Sequence, residues 1–375
     1  MAGEHSLKNH FDGAAARMLG ESIRRVHPGF DVEGYAAEVG RRVGPLELKA
    51  RVLVMAEGLR DRLPEHYPDA VGVLVASLEP DAALGEGGGM YNEGFHLMAV
   101  ARFVEEFGLD HPEASLPALV EITKRHTGEF AVRPFVQRHY EPTMAMVRAC
   151  AVDPDPNVRR FASEGIRPRL PWARRLPGFV ADPGPVLAVL ELLRSDPSKF
   201  VRTSVANNLN DISREHPGVV LDLAERWTAE SPTPETAWTV RHALRTLVKQ
   251  GDQRALALLG ATGGEHVAAE GMTVSPEVVE LGGALVVRVD LVNTDGRPHT
   301  VVVDYVVHHV RANGGRSPKV FKWTKVELCA GERRTLEKKH AVRPISTRSY
   351  YPGEHLVEVQ VNGLVKAAAG FGLRT

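Results

Sequence analysis

The sequence predicts a multidomain chain, an all-α solenoid of HEAT-like repeats followed by an all-β, immunoglobulin-like sandwich. Three observations carry this. Up to about residue 260, apolar residues recur at three and four, punctuated by Pro, Asp and Gly. From about residue 267 the apolar period drops to two. Within the helical part a Val-Arg pair opening an amphipathic helix returns at 132–133, 158–159, 201–202 and 240–241.

The chain has 375 residues, enough for two domains at ~150 residues each, and the change of period places them at 1–260 and 267–375. With 43% hydrophobic and 25% charged residues, the composition is that of a globular protein and excludes collagen-like or mostly disordered chains. Cys150 and Cys329 stand far apart with no Cys/His cluster, which excludes a zinc module and a disulfide framework and fits a reducing cytoplasm. The N-terminus lacks the apolar core of a signal peptide, and no run reaches the 18 apolar residues of a membrane span.

In the helical part, the segment Phe200–His216 shows the pattern clearly. Val201, Val205, Leu209 and Ile212 fall on one arc, and Ser204, Asn207, Asp211 and Arg214 on another. Asp196-Pro197-Ser198 supplies the start, with Ser198 as cap, and His216-Pro217-Gly218 the stop. The last two Val-Arg spacings, 43 and 39 residues, are the length of a two-helix unit. Such a unit cannot bury its own apolar face, so units stack into a curved solenoid with equivalent helices along its concave side. The segment Gly85–Gly89 lacks the Gly-Lys-Ser/Thr of a phosphate loop and reads as an inter-helix connection.

In the second part, Ala284–Asn293, Thr300–Ala312 and His355–Val361 alternate apolar and polar residues, separated by turn signals such as Asn313-Gly314-Gly315. About seven such strands in ~105 residues suggest a sandwich of the immunoglobulin type, with Ala261–Gly264 as a hinge. His308-His309 lies in a strand without further ligands, and no metal is expected there.

Charge is placed unevenly. Residues 1–123 carry a net −9, residues 124–215 +5 and residues 216–375 +3. Residues 159–175 hold six arginines against the single acid Glu164, and residues 311–348 hold eleven Lys and Arg against three acids. Basic stripes on a neutral protein suit a nucleic-acid surface, and equally a solvated face.

Three segments are more specific than any period. Glu129–His139, Val158–Trp172 (with SEGIRPRLPW) and Asp196–Ile212 (with VANNLNDI), together with Leu7-Lys-Asn-His-Phe11, resemble the DNA alkylpurine glycosylases of the AlkC type, relatives of the AlkD type. The resemblance covers residues ~5–260, and the C-terminal part resembles the immunoglobulin-like extension of some members. It implies a base-excision repair enzyme that hydrolyses the N-glycosidic bond of cationic alkylated bases such as 3-methyladenine and 3-methylcytosine in double-stranded DNA. It implies no metal or organic cofactor. A solenoid that embraces DNA gives no reason to expect a dimer, so a monomer is expected, in the cytoplasm that the cysteine usage suggests.

By the same resemblance the catalytic acids fall on Glu129, Glu164 and Asp211. The chemistry agrees: a cationic base is already a good leaving group, and what remains is an oxocarbenium-like sugar that needs negative charge and an aimed water. Helical phase places Glu164 and Asp211 off the apolar faces, on polar stripes of adjacent repeats, where both can look into one cleft. Arg159, Arg160, Arg167, Arg169 and Arg202, with Lys319 and Lys322 of the second basic stretch, are the expected DNA contacts. Trp172 either stacks on a base or sugar or plugs the core. Each acid also has a plainer reading: Asp211 pairing with Arg214 or Arg202, Glu164 balancing Arg160 and Arg167, and Glu129 favouring a helix start. A non-catalytic HEAT-repeat scaffold that binds DNA or protein is the alternative function.

Overall fold

The computed structural model describes residues 7–78, 94–345 and 348–375; Gly85–Gly89 lies outside them. The chain divides into two compact units, Met1–Val220 with Arg226–Ala243, and Leu221–Glu225 with Leu244–Thr375. No helix among the described residues is long and apolar enough to cross a membrane.

The first unit is helical. Local chemistry fixes where its helices begin. Asp12 accepts from the Ala14 and Ala15 N–H groups to open the helix Gly13–Val26. Asp155 accepts from Asn157 N–H and is followed by Pro156, whose missing N–H costs nothing at a first helical position, to open Pro156–Glu164. Ser198 caps Lys199–Ile212 by accepting from Val201 N–H, as the sequence predicts. That helix is shorter than the expected Phe200–His216. His216 N–H closes onto the Ile212 carbonyl at 2.9 Å, its ring reaches the Val180 carbonyl, and Pro217 opens the next helix, Pro217–Glu230.

The apolar stripe Val201, Val205, Leu209 and Ile212 is buried. Of the polar stripe, Ser204 and Asp211 are buried as well, whereas Asn207 is half-buried and Arg214 exposed. The helix therefore lies between neighbours on both sides, Pro156–Glu164 being one and Pro234–Ala243 another.

The second unit opens with two short helices, Arg245–Lys249 and Gln253–Leu258, and continues as a two-sheet sandwich. Its strands are β1 (Val267–Ser275), β2 (Val278–Glu280), β3 (Ala284–Asn293), β4 (His299–Val310), β5 (Arg316–Leu328), β6 (Arg333–Ala341), β7 (Gly353–Val361) and β8 (Leu364–Arg374). One sheet has the order β1-β3-β6, the other β2-β8-β7-β4-β5. Neighbours are antiparallel except β2 and β8, and the short parallel β2 is the strand beyond the expected seven. Alternation sets the core: Leu285, Val287, Val289 and Leu291 of β3 pack with Val301, Val303, Tyr305 and Val307 of β4 and Val357, Val359 and Val361 of β7.

Leu256 and Ala261 form a small core with Val302 of β4, and Thr262 N–H donates to the Thr300 carbonyl at 2.9 Å. The expected hinge at Ala261–Gly264 thus lies against the sandwich. Gly251, at the turn between the two short helices, meets Gly363 of the β7–β8 turn backbone to backbone. A Cβ on Gly251 would stand 2.8 Å from the Gly363 Cα, so neither position admits a side chain, and both have positive φ.

Candidate active site

The three predicted acids come from three different segments. Glu129 follows Thr127-Gly128, Glu164 ends the helix Pro156–Glu164, and Asp211 is near the end of Lys199–Ile212. All three are buried, at 6%, 5% and 5% exposure. Unpaired carboxylates at that depth would be strongly disfavoured, so each must be compensated.

Two guanidiniums do so and join the acids into one chain. Arg160 pairs with Glu129 and lies 3.6 Å from Glu164 Oε1. Arg167 Nη1 donates to the same Glu164 oxygen at 2.7 Å, and its Nε donates to Asp211 Oδ2 at 2.9 Å. The order Glu129–Arg160–Glu164–Arg167–Asp211 alternates sign throughout. The Ser204 hydroxyl adds a hydrogen bond to Glu164 Oε2 at 2.5 Å, and the Thr127 hydroxyl one to Glu129 Oε2 at 2.8 Å. Asn208 Nδ2 donates to the Ser163 carbonyl at 2.9 Å and fixes the two helices side by side.

This wiring splits the acids electrostatically. Burial raises the Glu164 carboxyl, but Arg160, Arg167 and Ser204 outweigh it, and its pKa lies below the ordinary value. Asp211 is raised: burial dominates and Arg167 offsets only part of it. Glu164 is thus favoured in its ionised form, whereas burial disfavours the ionised form of Asp211.

The predicted DNA-binding residues separate into groups. Arg160 and Arg167, expected to hold phosphates, are buried and committed to the acids; the plainer reading of Glu164, balancing these two arginines, describes its contacts. Asp211 pairs with Arg167 and not with Arg202. Arg159 makes a two-pronged contact with Asp196, at 2.6 and 3.1 Å, and Arg202 donates to the Asp196 and Pro197 carbonyls while lying over the Trp238 ring. Both therefore brace the turn before the helix Lys199–Ile212. Arg169 pairs with the half-exposed Glu215. Trp172 does not plug the core: it is 67% exposed, with φ of 64°. Lys319 and Lys322 are exposed on β5, the edge strand of its sheet.

Arg133 is the residue that sequence reasoning passes over. It is buried beside these groups, and its hydrogen-bond partners among the described residues are main-chain carbonyls. The Val-Arg pair at 158–159 puts Arg159 at the equivalent repeat position, which is the one signal that marks Arg133 in advance.

Comparison with known proteins places this geometry. Residues 268–375 match the family model described as uncharacterised protein YhaZ, C-terminal Ig-like domain. Across 366 residues, 97% of this chain and 98% of the other, the sequence is 34% identical to the uncharacterized protein YhaZ of Bacillus subtilis (strain 168). The structure is similar to that of Pseudomonas fluorescens alkylpurine DNA glycosylase AlkC bound to DNA containing an abasic site analog. The TM-score is 0.89 at 36% identity, covering 99% of this chain and 100% of that one.

Proposed function

The chain belongs to the AlkC-type family of DNA alkylpurine glycosylases, and from that premise we propose that it is itself a DNA glycosylase that excises cationic alkylated bases, such as 3-methyladenine and 3-methylcytosine, from duplex DNA. It works in this reading as a cytoplasmic monomer, its helical unit a HEAT-like solenoid that cradles the duplex. The observation that supports this best is the linkage of three buried carboxylates through Arg160 and Arg167.

The chemistry follows from the split between the acids. A base that carries a positive charge leaves as a neutral molecule once the bond to C1′ breaks, so no proton need be supplied to it. Positive charge then builds on the sugar. Glu164, favoured as an anion, stabilises that charge, and Glu129 adds to the field from the far side of Arg160. Asp211 accepts the proton of the water that attacks C1′, a role suited to a carboxylate raised by burial. Arg169, Trp172 and the lysines Lys319 and Lys322 contact DNA: the exposed indole stacks against the lesion-bearing strand and the cations meet phosphates. Arg159 and Arg202 reach phosphates from the turn they brace.

Incubation of the purified protein with methylated duplex DNA, followed by chromatography of released bases, tests the reading. Free 3-methyladenine or 3-methylcytosine above the buffer control is expected. Equal release with and without protein would leave the chain a DNA-binding member of its family without the activity.

A further inference from the structure

Arg133 lies in the helix Val132–Arg138 and is only 3% exposed. Its guanidinium makes four hydrogen bonds to three carbonyls that lie 32 to 41 residues further along the chain. Nη1 donates to Gly165 at 3.0 Å and to Arg167 at 2.8 Å; Nε and Nη2 both donate to Arg174, at 3.0 and 2.6 Å. An arginine side chain has five N–H donors, so one loop takes almost all of them. Among the described residues no carboxylate pairs with Arg133 directly. Glu129, Asp211 and Glu164 supply its counter-charge from further off.

The loop so held carries Arg167, Arg169 and Trp172. Other contacts agree that it is seated rather than draped. Gly165 lies so close to Val132 that a Cβ there would stand 2.7 Å from the Val132 Cγ1. Lys49 donates to the Trp172 carbonyl from the other side. Without Arg133, three carbonyls would lose their donor and the bend from Gly165 to Arg174 nothing to close around.

Resting on the function proposed above, we infer that Arg133 is a positioning residue for excision. It shapes the loop so that Arg167 faces Glu164 and Asp211 at once and Trp172 is presented outward, and it brings the buried site to three acids and three guanidiniums. Its role is double: geometry through the carbonyls, and field through the charge.

Arg133→Met and Arg133→Lys, in the full-length chain, separate the two. Arg133→Met removes donors and charge. Single-turnover excision of 3-methyladenine should fall by ~10²-fold, as a misplaced catalytic group does. The acid limb of the pH–rate profile should move to higher pH, since losing a nearby cation makes carboxylates easier to protonate. Arg133→Lys keeps the charge but not the planar fork: the acid limb should return towards wild type while the rate stays low. Limited trypsin digestion with cut sites mapped by mass spectrometry reads the loop without reference to activity. Cleavage after Arg174 and Arg175 should accelerate by about tenfold or more in both variants relative to other sites. A wild-type protein that releases no base sinks the glycosylase reading but leaves the trypsin result standing. A wild-type rate in Arg133→Lys, or acceleration spread evenly over all cut sites with an unmoved acid limb, overturns the positioning role. If Arg133→Met does not fold, Arg133→Lys alone decides by the same rate and cut-site criteria.

Discussion

Asp211→Asn and Glu164→Gln should both slow excision yet change stability in different ways, because the fold shifts the pKa values of the two acids in opposite directions. Each substitution removes one transition-state partner and should lower single-turnover release of 3-methyladenine by at least about 10²-fold. Stability is where they part. Asp211 has a folded-state pKa above its unfolded value, so its ionised form is disfavoured on folding. That penalty is absent below the unfolded pKa, grows as pH rises through the folded pKa and is complete at pH 7. Asn removes it, and the amide oxygen can still accept from Arg167 Nε, now 2.9 Å from Asp211 Oδ2. The net change at pH 7 should lie within about 1 kcal/mol of zero. Glu164 has a lowered pKa, so its contribution is full above the unfolded value and is lost as pH falls through the folded one. Gln in its place loosens contacts to two guanidiniums, one of them at 2.7 Å, and should cost about 2–4 kcal/mol at pH 7. That deficit should shrink as the pH falls through the lowered pKa of the wild-type carboxyl. Urea unfolding at pH 7 and in acid, beside single-turnover kinetics at pH 7, measures all of this. Near-normal rates in both variants, or a larger stability loss in Asp211→Asn than in Glu164→Gln, would refute the argument.

Arg169→Ala should weaken binding to every duplex sequence alike and flatten the dependence of affinity on salt by roughly 1, one phosphate contact's worth, in fluorescence anisotropy titrations. Arg167→Ala should leave that slope unchanged while abolishing excision, since its guanidinium is used on Glu164 and Asp211. Charge reversal at Lys319 should lower DNA affinity without altering the melting temperature; Lys322 and Lys325 would not be clean companions, because Lys322 lies opposite the buried Asp304 and Lys325 donates to the Leu259 carbonyl at 2.7 Å. EDTA should leave excision unchanged, as guanidiniums already provide the positive partners of all three acids.

Much of the fold could be read in advance because it follows local rules. Ser198 caps as serines do, the stripe Val201, Val205, Leu209 and Ile212 is buried, and β3 spans the alternating run Ala284–Asn293. Where the reading fell short, non-local partners decided. Asp211 and Ser204 read as a polar stripe facing a cleft, yet both are buried and Arg167 compensates the charge of Asp211 from 44 residues away in the chain. The arginine run 159–175 looks like one basic surface; folding turns Arg160 and Arg167 inward, half-buries Arg169 against Glu215 and leaves Trp172, Arg174 and Arg175 exposed. Arg133 escapes notice because its partners are carbonyls, which every residue has. One local signal was available and unused: Asn362-Gly363, with φ of 47° and 76°, is the dipeptide of a two-residue hairpin turn and joins β7 to β8.

That same turn bears on how these proteins can be recombined. The sandwich as a sequence family starts at residue 268, and a fusion or domain exchange designed from sequence would cut there. The Gly251–Gly363 contact argues for an earlier cut. A foreign sandwich brought to the seam would have to present glycine, in the same backbone conformation and at the same spot, or the turn at Gly251 would collide with it. Leu256 would also need its partner at Val302. The transferable cassette is therefore the segment from Leu244 onward, two short helices travelling with eight strands.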